Sequence, residues 1–328
     1  MTPADLSRTV VRAVRCAVED GELPAGATVP ERVVVERTRP GGAGEYATPV
    51  AFQIAKSAGN RAPLEVARVL ARRLAGLPGI ERVEITGAGF VNFALPPLSA
   101  AELVREVREV EARRPTVDAG VPADLPLGLR ERAVCEAVVR IRRSQGLDAT
   151  VPARVAPVAK RDGDVVARYG ADAARWAMLT VPARETPGFC DRLLVQGEDS
   201  EFFRVRYARA RSRALTANAA QLGFTSLPGD LGLTSLPGDV EAAPALLRAV
   251  ADHPLALEAA AHHRAPERLA RHLVELADAL LDFQHRVLPQ GDEKPSAAHR
   301  ARLALAEAAG TVLAGGLSLL GIDAPTRL

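Results

Sequence analysis

Aromatic residues and cysteine are scarce in this chain, and each shortage limits the kinds of protein that it can be. Only 4% of the residues are aromatic, so alanine, leucine and valine must build the core, and alanine and leucine favour helix. The three cysteines, Cys16, Cys135 and Cys190, lie far apart and form no Cys-x-x-Cys pair. This spacing argues against a zinc site and against a disulfide framework, and we expect neither a metal nor a cofactor.

We also expect no long apolar segment in this chain. No charged stretch followed by an apolar one marks a signal peptide, and we find no apolar run near the roughly 20 residues that span a bilayer. We therefore expect a cytoplasmic protein with no membrane partner. The net charge of +2 does not by itself indicate a nucleic-acid-binding protein, so the distribution of charge is more informative than its sum.

Hydrophobic periodicity divides the 328 residues into three parts. The first part, residues 1–97, mixes helical and strand patterns and predicts a small α+β domain. Its expected helices are 5–20, 51–57 and 63–74, and its expected strands are 32–36, 80–85 and 90–95. The last part, residues 166–328, is almost purely helical and predicts an all-α bundle, so the protein is mainly α overall. Its later helices are expected at 243–252, 255–262, 266–287 and 297–320.

The middle part, residues 98–165, has the pattern of a shortened connector. It contains a charged segment at 103–113 that predicts an exposed linker helix, and an amphipathic segment at 129–143. A near-perfect repeat further on, residues 223–230 and 232–239, carries a Pro-Gly-Asp turn signal in each copy. Two copies are too few for a solenoid, so we interpret the repeat as a duplicated surface loop without a function of its own.

The most informative stretch is residues 203–211, Phe-Arg-Val-Arg-Tyr-Ala-Arg-Ala-Arg. At about 100° per residue on a helix, Phe203 and Tyr207 share one face with Ala210 and Ala214, and we expect that face to dock on the core. The cations Arg206, Arg209 and Arg213 share another face. They are either a solvated surface or a row of guanidinium groups that binds phosphates or exposed bases.

This stretch resembles the helix that opens the anticodon-binding domain of arginyl-tRNA synthetases. Arginine stands at 204, 206 and 209, where that family usually has Tyr, Gln and His. Residues 268–277 and the C-terminal Leu-Gly-Ile-Asp-Ala-Pro-Thr-Arg-Leu are also similar to family motifs. Residues 44–48, 78–80 and 87–93 resemble pieces of the family's additional N-terminal domain. The resemblance covers residues of about 1–96 and about 157–328.

The resemblance implies an α+β N-terminal domain, a DALR-type anticodon-binding bundle, and tRNA, arginine tRNA above all, as the partner. It assigns Asn92 as a contact to a D-loop base, although an asparagine on a strand also commonly bonds nearby backbone. Tyr46 either stacks on a base or packs. Phe202 either stacks on an anticodon base or staples the helix entry. The expected tRNA-binding residues are Tyr46, Asn92, Phe202, Arg204, Arg206, Arg209 and Arg213.

The catalytic centre of such a synthetase is not visible in the sequence. None of the six histidines lies in a His-x-Gly-His motif, and residues 160–166 look like a remnant of the family's second signature loop. We therefore expect no catalytic residues and a catalytically truncated tRNA-binding protein. Two alternatives stay open, an arginine–tRNA ligase or its accessory subunit with a partner that supplies catalysis, and a protein-interaction module without an RNA role. A partner enzyme that uses charged tRNA is a further possibility.

Overall fold

The computed structural model describes residues 3–38, 42–59, 61–96, 100–112, 121, 126–148, 154–226 and 243–328. The chain divides into two compact units, residues 1–98 and residues 99–328. Most of the predicted tandem repeat lies outside the described residues.

The first unit is an α+β domain, as predicted. Three helices flank four antiparallel strands in the order β1-β2-β4-β3. Helix α3 packs on α1, α2 and the β3–β4 pair, and the fully buried side chains of Leu70 on α3, Leu6 on α1 and Phe93 on β4 form part of the core. The elements are α1 (Pro3–Glu19), β1 (Glu36–Arg37), β2 (Tyr46–Thr48), α2 (Val50–Ser57), α3 (Pro63–Leu74), β3 (Arg82–Thr86) and β4 (Phe90–Ala94).

The strand predicted at 32–36 is wrong. Its valines are buried as expected, with Val33 and Val35 in the core, but only Glu36 and Arg37 pair with a neighbouring strand. The carbonyl of Val33 instead accepts a hydrogen bond of 2.6 Å from the Ser7 hydroxyl on α1. Strand β2 was not predicted, and it joins β1 to β4 through the pairs Arg37–Tyr46 and Tyr46–Phe93.

Within the described residues, the regular elements of the second unit are all helical. Pro254, which we expected to separate two helices, lies inside the single helix α9, and α10 ends at Phe283, before a short 3-10 turn. The helices are α4 (Ala100–Ala112), α5 (Leu129–Ser144), α6 (Val165–Tyr169), α7 (Ala171–Leu179), α8 (Glu201–Gln221), α9 (Pro244–His263), α10 (Pro266–Phe283) and α11 (Ala297–Leu320).

Helix α4 is not the exposed linker that its charges predicted. Leu103 and Val104 are buried, and Val104 packs with Ala304 and Ala308 of α11. Helix α5 likewise packs on α7, α9 and α11. The helical segments of the middle part therefore belong to the same compact unit as the C-terminal bundle.

A buried arginine fixes the chain between α5 and α8. The Arg130 side chain is 1% exposed, and burial lowers the pKa of its guanidinium. It donates to five backbone carbonyls, those of Met178, Val181, Pro182, Ala156 and Glu185. Because an unpaired buried guanidinium is costly, this set of acceptors holds residues 156–185 against α5.

The last helix, α11, lies in the middle of the bundle. Contrary to the sequence expectation, it is long and apolar enough to cross a membrane, but 78% of its most apolar window is buried inside the protein, as in a core helix. Gly310 permits close contact with α8, since a methyl group there would lie 2.1 Å from the Ser212 hydroxyl oxygen. That hydroxyl donates to the carbonyl of Ala306 on α11 at 2.8 Å.

Candidate nucleic-acid interface

Helix α8 carries the arginine-rich stretch, and its first turn is capped by a side chain. The Ser200 hydroxyl accepts a hydrogen bond of 3.2 Å from the Phe203 amide, which satisfies one of the free N–H groups of the helix terminus. Glu201 lies in the same turn, where a carboxylate is favoured by the helix dipole. The helix then runs for 21 residues without interruption.

The face of α8 that meets the core is largely the opposite of the predicted one, although Ala210 of the predicted face is also buried. Five of its residues are buried at helical spacing, namely Val205, Ala208, Ser212, Leu215 and Ala219. Phe203 and Tyr207 point away from that stripe, and Tyr207 is 37% exposed. The prediction failed because the buried stripe contains only small or aliphatic residues and a serine, whereas the two aromatic rings gave the stronger apolar signal.

The two aromatic rings on the outward face of α8 stack on each other. The ring centroids of Phe203 and Tyr207 are 5.5 Å apart, and the ring planes differ by 10°. Arg206 and Arg213 follow the same outward side at the helical angle next to this pair. We call these four residues the α8 outward face. It combines a flat aromatic surface with guanidinium groups, which are the groups that bind unpaired bases and phosphates.

Arg206 lies over a buried ring. Its guanidinium carbon is 5.1 Å from the centroid of Phe202, and Phe202 in turn packs on Trp176 at 6.0 Å. Phe202 is 7% exposed, so its faces are occupied by Trp176 and Arg206 in this conformation. Among the described residues, the carboxylate within ion-pair distance of Arg206 is that of Asp323, with 4.0 Å between nitrogen and oxygen.

Arg209 and Arg213 differ in their surroundings. Arg209 is half-buried, and burial, with a smaller contribution from the charge of Arg213, lowers the pKa of its guanidinium. Within the described part of the chain, the Nε atoms of Arg206 and Arg209 have no hydrogen-bond partner. Arg213 is exposed, and no ion pair to it occurs among the described residues. This flank of α8 therefore carries three cations with one carboxylate at the limit of ion-pair distance.

Arg204 is bound within the protein. Its Nε and Nη2 lie 2.8 Å and 3.3 Å from the two carboxylate oxygens of Asp278 on α10. Its Nη1 donates to the carbonyl of Glu198 at 2.6 Å. Arg211, on the same side, donates to the Gln284 side chain at 2.6 Å. This side of α8 joins helices, and its guanidinium groups have protein partners.

In the N-terminal unit, Asn92 lies inside the β3–β4 hairpin. It is 4% exposed, and its amide nitrogen is 2.8 Å from the Thr86 hydroxyl oxygen and 3.3 Å from the Phe90 carbonyl oxygen. The side chain therefore connects the two strands on either side of the turn. Direct contact with a base would require this turn to open.

The exposed aromatic residue of the same hairpin is Phe90. It is 43% exposed, and its ring meets that of Phe52 edge-on at 5.1 Å. Tyr46, in contrast, is 5% exposed, with the guanidinium of Arg37 5.5 Å from its ring centroid. Sequence reasoning passed over Phe90 and treated Tyr207 as a core residue. A phenylalanine directly after a Gly-Ala-Gly turn was the available signal, because a residue beside a hairpin turn has few neighbours.

Two family models match the chain, one for each unit. The arginyl tRNA synthetase N terminal domain matches residues 6–95, and the DALR anticodon binding domain matches residues 205–328. The chain belongs to the arginyl-tRNA synthetase family. The family's anticodon-binding model therefore includes nearly all of α8, with Arg206, Tyr207, Arg209 and Arg213. Residues 96–204 lie between the two matched segments.

A curated relative supports the family assignment over part of the chain. The arginine–tRNA ligase of Frankia alni is 51% identical over 107 residues, which are 33% of this chain and 19% of that ligase. The match thus spans about a fifth of the length of that relative.

Two solved structures share the fold. The arginyl-tRNA synthetase of Thermus thermophilus has a TM-score of 0.55 at 13% identity and covers 98% of this chain and 100% of its own. The Plasmodium falciparum enzyme has a TM-score of 0.61 at 9% identity and covers 100% of both chains.

Proposed function

We propose that this protein binds tRNA, and arginine tRNA in particular, without carrying the aminoacylation chemistry of its family. The observation that carries the proposal is the α8 outward face. There a stacked Phe203–Tyr207 pair lies beside Arg206 and Arg213, in the domain whose family model is anticodon-binding. A bundle that needed α8 only for packing would have no use for an exposed Tyr207 ring beside cations.

The chemistry of this face suits a single-stranded loop. Sequence-specific RNA recognition targets loops whose bases can be turned out and stacked on aromatic rings. Tyr207 offers such a ring, and Arg206 and Arg213 would neutralise the phosphates on either side of the stacked base. Arg209, half-buried and with an unpartnered Nε, would support this flank from below. Arg204 would act through its pair with Asp278, by fixing α8 on α10.

The N-terminal unit supplies the second contact in this proposal, at the tRNA elbow. The β3–β4 hairpin presents Phe90 to solvent, and Asn92 holds the two strands together behind it. The exposed ring would stack on a loop base, while Asn92 would fix the turn and reach a base only when the turn opens. Tyr46, buried in the adjoining strand, would support the hairpin from within the sheet.

The segment between the matched domains supports the absence of aminoacylation chemistry. Within its described residues, the regular elements of 99–204 are helices and short 3-10 turns, and α4 and α5 pack on the bundle. A nucleotide-binding half of the Rossmann type needs parallel strands with crossover helices, at about 30 residues or more for each βαβ unit. We propose that the protein is cytoplasmic and holds tRNA, and that a partner enzyme then uses the charged tRNA.

A binding measurement with matched variants tests this function. We expect Arg206→Gln/Arg213→Gln to weaken tRNA binding at least tenfold and to reduce the salt dependence of log K by about one to two, since each lost phosphate contact removes roughly 0.7–0.9 from the slope. Glutamine keeps part of the aliphatic stem of each arginine and removes the charge. The control is Arg268→Gln/Arg271→Gln, which removes the same charge from exposed positions on α10. Equal affinity of the two double variants would reject the α8 outward face as the RNA contact.

An accessory-subunit function is the second candidate, and one observation favours it. Leu194 and Val195 are 52% and 43% exposed side by side, in the segment between the two matched domains. An exposed apolar pair of this kind suits a partner protein that would supply the catalytic domain. Arginine-dependent ATP–pyrophosphate exchange, measured on the purified chain and on the chain with its co-purifying proteins, separates the two candidates. Exchange only in the second sample would favour the accessory subunit.

A further inference from the structure

The end of α11 is held in one position by its capping geometry. Gly321 adopts a left-handed conformation with φ of 74°, and the amide of Ile322 donates to the carbonyl of Leu317 at 3.0 Å. Ile322 is buried, so the chain is anchored two residues beyond the helix. This is the Schellman arrangement, in which glycine and a following apolar contact end a helix. The direction of the next residue, Asp323, is fixed by this anchor.

Two arginines crowd the same turn and leave it little freedom. A methyl group on Gly321 would lie 2.3 Å from Nη2 of Arg140 and 2.9 Å from Nη1 of Arg175. Arg140 also donates through Nε to the carbonyl of Leu319 at 3.0 Å, and Arg175 pairs with Glu136 at 2.8 Å. The turn that carries Asp323 is therefore part of the packed bundle, although the Asp323 side chain itself is 72% exposed.

Asp323 lies near Arg206 of the α8 outward face. Its Oδ2 is 4.0 Å from Nη2 of Arg206, a distance at which charges attract without a hydrogen bond. No ion pair links Arg209 or Arg213 to a carboxylate among the described residues. Of the three arginines, Arg206 is thus already opposed by a carboxylate of the protein. The Arg206–Asp323 pair is open enough for solvent or another anion to enter.

We propose that Asp323 competes with the phosphodiester groups of RNA for Arg206 and so weakens RNA binding at this end of α8. This inference rests on the proposed function. An exposed carboxylate at 4 Å attracts the guanidinium by roughly 1 kcal/mol in water, a factor of about five in affinity, and salt screens it over about 8–10 Å. The carboxylate occupies the place of a phosphate when RNA is absent, and it repels an incoming phosphate at close range.

The test is a double-mutant cycle on tRNA binding. We expect Asp323→Asn to raise the affinity for a tRNA transcript about fivefold at low ionic strength, and this gain to shrink as salt is added. In the Arg206→Gln background the same Asp323→Asn change should give no gain, because the guanidinium that the carboxylate opposes is missing. Asp292→Asn is the control, since it removes one exposed carboxylate from the loop before α11. Thermal unfolding of each variant confirms that the bundle is intact.

The outcomes separate this inference from the function on which it depends. A gain in Asp323→Asn that matches the gain in Asp292→Asn, or that persists in the Arg206→Gln background, overturns the competition. If Arg206→Gln/Arg213→Gln loses tRNA while Asp323→Asn changes nothing, the inference fails and the proposed function stands. If neither the wild type nor Asp323→Asn binds tRNA, both are overturned.

Discussion

At the scale of single residues, two buried histidines pack against each other between α9 and α10. The ring centroids of His253 and His272 are 5.3 Å apart, and His272 is 6% exposed. Burial lowers the pKa of His272 to about 4, while the charge of Asp252 raises it by a smaller amount. The folded protein therefore holds the His272 ring neutral at a pH where an unfolded histidine is already protonated.

The stability of the protein should therefore fall as the pH is lowered from about 6.5 towards 4. In this range His272 is protonated in the unfolded state but stays neutral in the folded state. The free energy of unfolding therefore decreases by up to about 1.4 kcal/mol for each pH unit by which the pH is lowered. Above about 6.5 both states are neutral, and this effect vanishes. Urea unfolding followed at several pH values measures the slope.

The matched variants for this prediction are His272→Gln and His285→Gln. His285 is exposed, so its replacement should leave the slope unchanged, whereas His272→Gln should remove most of it whatever it does to the absolute stability. An acid slope that is the same in the wild type and in both variants would contradict the assignment to His272.

At the scale of elements, α8 carries a buried aromatic residue, Phe202, and an exposed one, Tyr207, and we expect them to have different roles. Phe202 is buried against Trp176, while Tyr207 stacks on Phe203 at the surface. We expect Phe202→Ala to lower the free energy of unfolding by roughly 3–5 kcal/mol. Tyr207→Ala should leave stability within about 1 kcal/mol and weaken tRNA binding by about 1–3 kcal/mol, the value of one stacked base. Chemical denaturation and a gel-shift titration measure the two effects.

The reverse pattern would contradict this division of α8. If Tyr207→Ala unfolds the bundle while tRNA affinity per folded molecule stays the same, the outward face is a packing surface. Phe203→Leu is a useful intermediate control, because it keeps apolar volume but removes one ring of the stacked pair.

Several helix positions were predictable from the sequence, but the orientation of α8 was not. The bounds of α3 and α11 follow from their periodicity, and both agree with the structure at 63–74 and 297–320. The buried stripe of α8 was not predicted because it contains the polar residue Ser212. Ser212 is buried only because Gly310 lets α11 approach α8 closely. The sequence around Arg130 also did not indicate its burial, because its five carbonyl partners come from a segment about 26 to 55 residues away along the chain.

At the scale of the whole molecule, the family assignment came from the sequence and the detail of the sites did not. The motifs near both ends predicted the two domains that the family models match. The sequence also predicted Asn92, Tyr46 and Phe202 as tRNA-binding residues, and the structure places all three side chains inside. Exposure depends on which strands and helices meet, and a motif does not contain that information. The exposed rings, Phe90 and Tyr207, became visible only in the folded chain.

The central claim is that the chain holds tRNA through these two units, and sequencing of the RNA that co-purifies with it tests this most directly. The protein should be isolated at low ionic strength with and without the Arg206→Gln/Arg213→Gln substitutions, and the bound RNA recovered and sequenced. We expect tRNA, enriched for arginine tRNA, in the wild-type sample and much less tRNA in the sample from the variant. Recovery of no RNA above background, or of the same RNA in both samples, would contradict it.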